Sequence, residues 1–278
     1  MLTFYNTKKR PDIKKLLFEE NTSYYYAYSG SLVVTNEMFH IATLKRHLSK
    51  DTKVLTVSGS GEQPLFFKIY GAKDIVTFDI SFTSYLLTSL KISAAQIFTT
   101  STEYNIFLND LYTIKTSNDL FDKPYLSQAI QNMSKENQSY ISKIVRYQLI
   151  SRLLYLNNSC NFYSLNQEQF DKLKKSIETD IPFIWTNITR LYKGINKEKF
   201  DIIYYSNILS FKDEITLRPI LEKTKRHLTQ NGKLFLLIEP CKINQITNAV
   251  NDVFQNDYDK TISPKKEYFH QMIIQHSH

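Results

Sequence analysis

Ser58-Gly59-Ser60-Gly61 is the one dense glycine cluster in a chain of 278 residues that holds only 6 glycines. It follows a short β-rich run, Lys53-Val54-Leu55-Thr56-Val57, and opens a helical stretch from Glu62 to Tyr70, with Gly71 in C-cap position. Glycines at a strand end let the chain turn sharply and let a ligand approach the backbone, where side chains would obstruct it. Asp79 closes a second β-rich run, Asp74 to Ile80, near the spacing of about 20 residues at which an acid bonds ribose hydroxyls. A carboxylate suits that task because it accepts from both hydroxyls at once.

What the turn lacks narrows the ligand. The dinucleotide fingerprint G-x-G-x-x-G needs a third glycine at position 64, which is Pro64. No Gly-Lys-Ser/Thr follows the turn, so the P-loop pattern also fails. Proline in a first helical turn is sterically comfortable, but its missing amide weakens a pyrophosphate cradle. A nucleoside donor without phosphate fits better, and S-adenosylmethionine is one.

The elements that position these residues form a strand, a glycine turn, a helix and a strand within about 30 residues, the size of a βαβ unit. Further strands are expected at 182–188, at 200–206, at 233–238, and as a pair around 260–262 and 271–275. Helices are expected at 1–20, 37–49, 166–180 and 213–229, and one more in the C-terminal part. This alternation predicts an α/β, Rossmann-like, mainly parallel sheet with helices on both faces, and ligands outside the carboxyl ends of its strands. Residues 1–49 read as an N-terminal extension of helices around an aromatic loop. Residues 50–82 and 151–278 read as the donor-binding domain, and 83–150 as a helical insertion.

A hydrophobic fraction of 42% and a charged fraction of 22% are those of an ordinary globular chain. The net charge of +8 favours polyanions, but the basic residues are scattered, as on a solvated surface. Cys160 and Cys241 form no CxxC or Cys/His spacing, which argues against a disulfide framework or a zinc site, and no metal is expected. The N-terminus lacks a signal-peptide core and no stretch approaches a membrane span, so the expected location is the cytoplasm.

Four segments carry a resemblance. Val54 to Gln63 and Ile75 to Ile80 resemble the first two motifs of class I S-adenosylmethionine-dependent methyltransferases. Phe200 to Leu209 is similar to their motif after the fourth strand, and Leu228-Thr229-Gln230-Asn231-Gly232-Lys233-Leu234-Phe235 to their turn before the fifth. Together they cover about residues 50–240, in order. Within that superfamily the chain looks most like the DUF3419 group, which includes betaine-lipid synthesis enzymes that move a 3-amino-3-carboxypropyl group. The resemblance implies that Ser58, Gly59 and Gly61 cradle the methionine part of the donor and that Asp79 holds the ribose. It implies an adenine contact from Asn187, and places Ser206 and Asn207 facing the sulfonium.

On the acceptor side, Tyr24, Tyr25, Tyr26 and Tyr28 crowd one loop, where aromatic faces could enclose a cation or cover the donor pocket. No general base stands out among the six histidines, and no catalytic residue is assigned. Displacement at a sulfonium depends on in-line placement more than on acid–base help. Methyl transfer is the default reaction and aminocarboxypropyl transfer the alternative. The acceptor is a small molecule or a lipid, with peripheral membrane contact left open and nucleic acid not favoured. A binding module without turnover and a nicotinamide-dependent oxidoreductase are the competing classes. The sequence does not disclose the oligomeric state.

Overall fold

The computed structural model describes residues 2–4, 41–113, 119–146, 164–177, 181–195, 197–255, 258–262 and 270–276. Its centre is an eight-stranded sheet in the order β1-β4-β3-β2-β5-β6-β8-β7. These strands are β1 (Leu2–Phe4), β2 (Lys53–Val57), β3 (Asp74–Asp79), β4 (Ile181–Trp185), β5 (Phe200–Tyr204), β6 (Leu228–Ile238), β7 (Tyr258–Ile262) and β8 (His270–His276). The pairs from β1 to β6 are all parallel, and β8 runs antiparallel to both β6 and β7.

The runs in β2, β3 and β5 are buried at consecutive positions rather than alternate ones. A strand buried in that way has both faces covered, which explains why these segments read as continuous apolar runs. The covering helices include α1 (Glu62–Ile69) and α2 (Phe82–Ile97), which follow β2 and β3 and pack on them. The helices α3 (Ser101–Tyr112), α4 (Asp119–Asp122), α5 (Pro124–Gln131) and α6 (Lys135–Arg146) come next, with α3 and α5 against α2. Then α7 (Gln167–Ser176), α8 (Leu191–Gly194), α9 (Glu214–His227) and α10 (Ile243–Phe254) alternate with the remaining strands. The α/β, mainly parallel architecture expected from the sequence is therefore the one observed.

Two local expectations are corrected. Leu2–Phe4 is strand, not helix, and pairs with β4 through the register Leu2–Ile181. A free edge of unpaired amides and carbonyls decides the conformation of three residues more strongly than a helical apolar stripe does. Of the helix expected at 37–49, the described residues 41–47 hold two helical positions, a turn and a short 3-10 turn at Lys45–His47. Its apolar Ile41 and Leu44 are fully buried, but from residue 43 on the regular helix is not kept, and 37–40 lie outside the described residues.

The chain moves outward from β2 to β3 and β4, then crosses back to lay β5 on the other side of β2. The strand order thus reverses between β2 and β5. In open α/β sheets that reversal opens a crevice at the carboxyl ends of the two strands, where ligands bind.

Candidate functional site

Strand β2 delivers the chain to this crevice at Ser58. The Ser58 amide donates to the Phe78 carbonyl over 2.8 Å and its own carbonyl accepts from the Gly61 amide over 2.8 Å, closing a tight turn. Gly59 stands at φ +55° and Gly61 at φ +94°, conformations that side chains resist. The two glycines serve different ends. A Cβ on Gly61 would lie 2.8 Å from the Thr88 amide nitrogen, so the absent side chain there admits α2 rather than a ligand. A Cβ on Gly59 would meet only the flexible end of Gln63. Ser58 is fully buried, and its hydroxyl shares a 2.8 Å hydrogen bond with that of Thr88.

A buried ion pair underlies the turn. Lys91 of α2 bonds Glu62, the first residue of α1, and donates to the Ser60 carbonyl over 2.8 Å, while the Ser60 hydroxyl donates to Glu62. Both charged side chains are shut off from solvent, and burial pushes the Lys91 amine well below its usual range. Lysine against carboxylate, with the serine bonds added, is the arrangement that makes such burial tolerable. A glutamate already occupies the amino end of α1, where a phosphate would otherwise sit.

Asp79 ends β3 beside the turn. Its Oδ2 accepts from the Gly59 amide and its Oδ1 from the Ser81 amide, each over 2.9 Å. The Ile80 amide and the Ser84 hydroxyl add two further hydrogen bonds to the same carboxyl. Burial dominates these and raises its pKa to about 6. The Ser84 hydroxyl is the donor able to rotate away, so a ribose diol would enter the shell at its expense.

The neighbouring strand ends complete the crevice. Thr56 and Tyr204 are the last paired residues of β2 and β5, and Ser58 and Ser206 each follow two residues further on. Ser206 has φ +50°, an uncommon conformation for a residue with a side chain, and is held there from both sides. Its carbonyl accepts from Leu237 over 2.9 Å, while the buried Tyr205 hydroxyl is bound to Tyr192 and, over 2.8 Å, to Thr224. Asn207 is buried and caps the short 3-10 turn at Ile208–Phe211, its carbonyl accepting from Ser210. Asn187 holds its own turn: its Oδ1 accepts from the Thr189 amide over 3.0 Å. That is strand-end turn chemistry, with only the amide NH2 left to offer a ligand.

The structure therefore brings Ser58, Gly59, Asp79 and Ser206 to one crevice, with Asn207 and Asn187 at its adjoining strand ends. It turns Gly61 toward α2. Tyr24, Tyr25, Tyr26 and Tyr28 lie outside the described residues. Three participants escaped the sequence reading. Glu62 and Lys91 are one pair, and a lone charge in the otherwise uncharged run Leu86 to Ala95 was its signal. Trp185, the only tryptophan, stands opposite Asp79 in the β3–β4 register and donates to the Ile80 carbonyl over 2.7 Å. Among the described residues no group of histidine, cysteine or acidic side chains could hold a metal ion. Nor is any helix among them long and apolar enough to cross a membrane.

Similar folds occur among solved structures. A ribosomal protein L11 methylase from Lactobacillus delbrueckii subsp. bulgaricus is 14% identical over 88% of this chain and 80% of its own, with a TM-score of 0.44. An rRNA methylase from Streptococcus thermophilus is 10% identical over 87% and 97%, with a TM-score of 0.44. The N-methyltransferase NodS from Bradyrhizobium japonicum WM9, solved with S-adenosyl-L-homocysteine, is 10% identical over 96% and 98%, also at 0.44. No family model and no curated protein sequence matches the chain.

Proposed function

We propose that this chain is an S-adenosylmethionine-dependent transferase whose default reaction is methyl transfer to a nucleophilic acceptor. The observation that carries this reading is Asp79, at the end of β3, locked to the amide of Gly59, which follows β2 beside the point where strand order reverses. A glycine face covered only by the flexible end of Gln63 and a strand-end carboxylate suited to a ribose diol meet there. The amino end of α1 carries Glu62 and lacks the amide of Pro64, which disfavours a phosphate and favours a phosphate-free nucleoside.

The donor supplies a sulfonium carbon open to displacement. The chain's residues hold and orient it: Asp79 on the sugar, the Ser58–Gly59 turn on the amino-acid tail, and Ser206 and Asn207 at the reacting end. Orientation of two reactants at these strand ends would account for a large acceleration without a general base. Transfer of the 3-amino-3-carboxypropyl group is the second reading, supported by the DUF3419-like sequence of the turn. The acceptor is a small molecule or a lipid.

Calorimetric titration with S-adenosylmethionine, S-adenosylhomocysteine, methylthioadenosine and NAD tests the donor class. Binding of the sulfur nucleosides but not NAD is expected; no binding of any sulfur ligand would overturn the proposal. S-adenosylhomocysteine among the products marks methyl transfer, and methylthioadenosine marks the alternative.

A further inference from the structure

Gln63, the second residue of α1, is 5% exposed, yet none of the described residues uses its carbonyl oxygen. Oε1 is shielded from solvent and accepts no hydrogen bond from them. The carboxamide lies over Gly59: a Cβ there would come 2.3 Å from Nε2 and 2.8 Å from Oε1. Buried polar atoms in folded proteins almost always have partners, so an orphaned acceptor lying over the Gly59 backbone of the candidate turn points to a ligand.

The chemistry of that ligand group follows from the atom. An amide oxygen only accepts, so its partner must carry N–H or O–H. The acid adjacent to it in sequence, Glu62, is already paired with Lys91 beneath the turn. Gln63 is thus a neutral acceptor beside a compensated charge pair, suited to a cation that arrives with its own counter-charge, as a zwitterion does. The terminal amide torsion is broad and two-fold, so Oε1 can swing toward such a group without leaving its rotamer.

We infer that Gln63 Oε1 accepts a hydrogen bond from the α-ammonium of the donor's amino-acid tail, which makes Gln63 the residue that tells a tailed sulfur nucleoside from a tailless one. This rests on the transferase reading above. The inference concerns recognition alone, and no bond is made or broken at Gln63.

The test titrates the full chain with S-adenosylhomocysteine, which has the tail, and methylthioadenosine, which lacks it. Gln63→Leu should weaken the first about tenfold or more, the loss expected for a hydrogen bond to a charged group, and the second less than about threefold. Gln63→Glu keeps an acceptor in place and should hold S-adenosylhomocysteine to within about threefold of the unaltered chain. If circular dichroism shows Gln63→Leu unfolded, Gln63→Asn gives the same tail-selective loss by withdrawing the oxygen one methylene. Equal losses for both ligands, or none, overturn the role of Gln63 while leaving the donor site intact. An unaltered chain that binds neither ligand overturns the transferase reading and this inference together.

Discussion

The Gly59 amide donates to Asp79 Oδ2 across 2.9 Å, tying the turn after β2 to the end of β3. The bond fixes the peptide of the glycine that a ligand would approach, and it aims the carboxyl group at the same crevice. Turn and acid thus form one unit. On the proposed donor site, Asp79→Ala should cost donor affinity twice over, by removing the acceptor proposed for the sugar and by releasing the turn. A loss of tenfold or more in S-adenosylhomocysteine affinity is expected by calorimetry, and unchanged affinity would remove Asp79 from the site.

Asp79 also sets a pH dependence. Its pKa in the fold, about 6, lies above the ordinary value of 3.8, so the fold holds the proton more tightly than the unfolded chain does. Its contribution to stability is complete below about 4 and disappears as pH rises through about 6, a swing of roughly 2–3 kcal/mol. In the proposed donor site binding runs the other way, because sugar hydroxyls would donate to the ionised carboxylate. Affinity should fall as pH drops through about 6, and Asp79→Asn should flatten the profile between pH 5 and 8.

Gly61 and Gly71 make a paired test of backbone strain against steric conflict. Both have positive φ, +94° and +108°, but only Gly61 faces a backbone, whereas a Cβ on Gly71 meets nothing within 4 Å. Gly71→Ala should lose only the conformational preference, about 1–2 kcal/mol. Gly61→Ala should lose more, because α2 must shift as well. Equal losses in urea unfolding would show that Thr88 does not confine the turn.

The Glu62–Lys91 pair should behave as a unit. Lys91→Met leaves a buried carboxylate alone and is expected to cost about 3–5 kcal/mol. Adding Glu62→Leu to Lys91→Met should recover much of that, since two apolar side chains need no compensation. Purely additive losses in a double-mutant cycle would contradict the pairing.

Much of this site was legible because strand ends announce themselves. Lys53–Val57 followed by Ser58-Gly59, and Asp74–Asp79 with its acid, place chemistry by local sequence alone, and the parallel order follows from alternation. The Lys91 contact was not legible, since it joins residues 29 apart through a helix whose rotation only packing decides. The roles of the two glycines were equally hidden, because spacing does not reveal which one faces a helix. Leu2–Phe4 failed for the same reason: its conformation is settled by the edge of β4, far away in sequence.

Among the described residues the sheet ends on one side with a strand of only three residues, β1, and on the other with β7. Four of the five β7 positions are exposed, with Asp259 and Lys260 side by side among them. A short strand and a charged one are poor templates for another chain's backbone. As far as the described residues go, the edges of this sheet are therefore guarded against strand exchange between copies, and a basic, tyrosine-rich chain has that protection where its main-chain groups would otherwise be most adhesive.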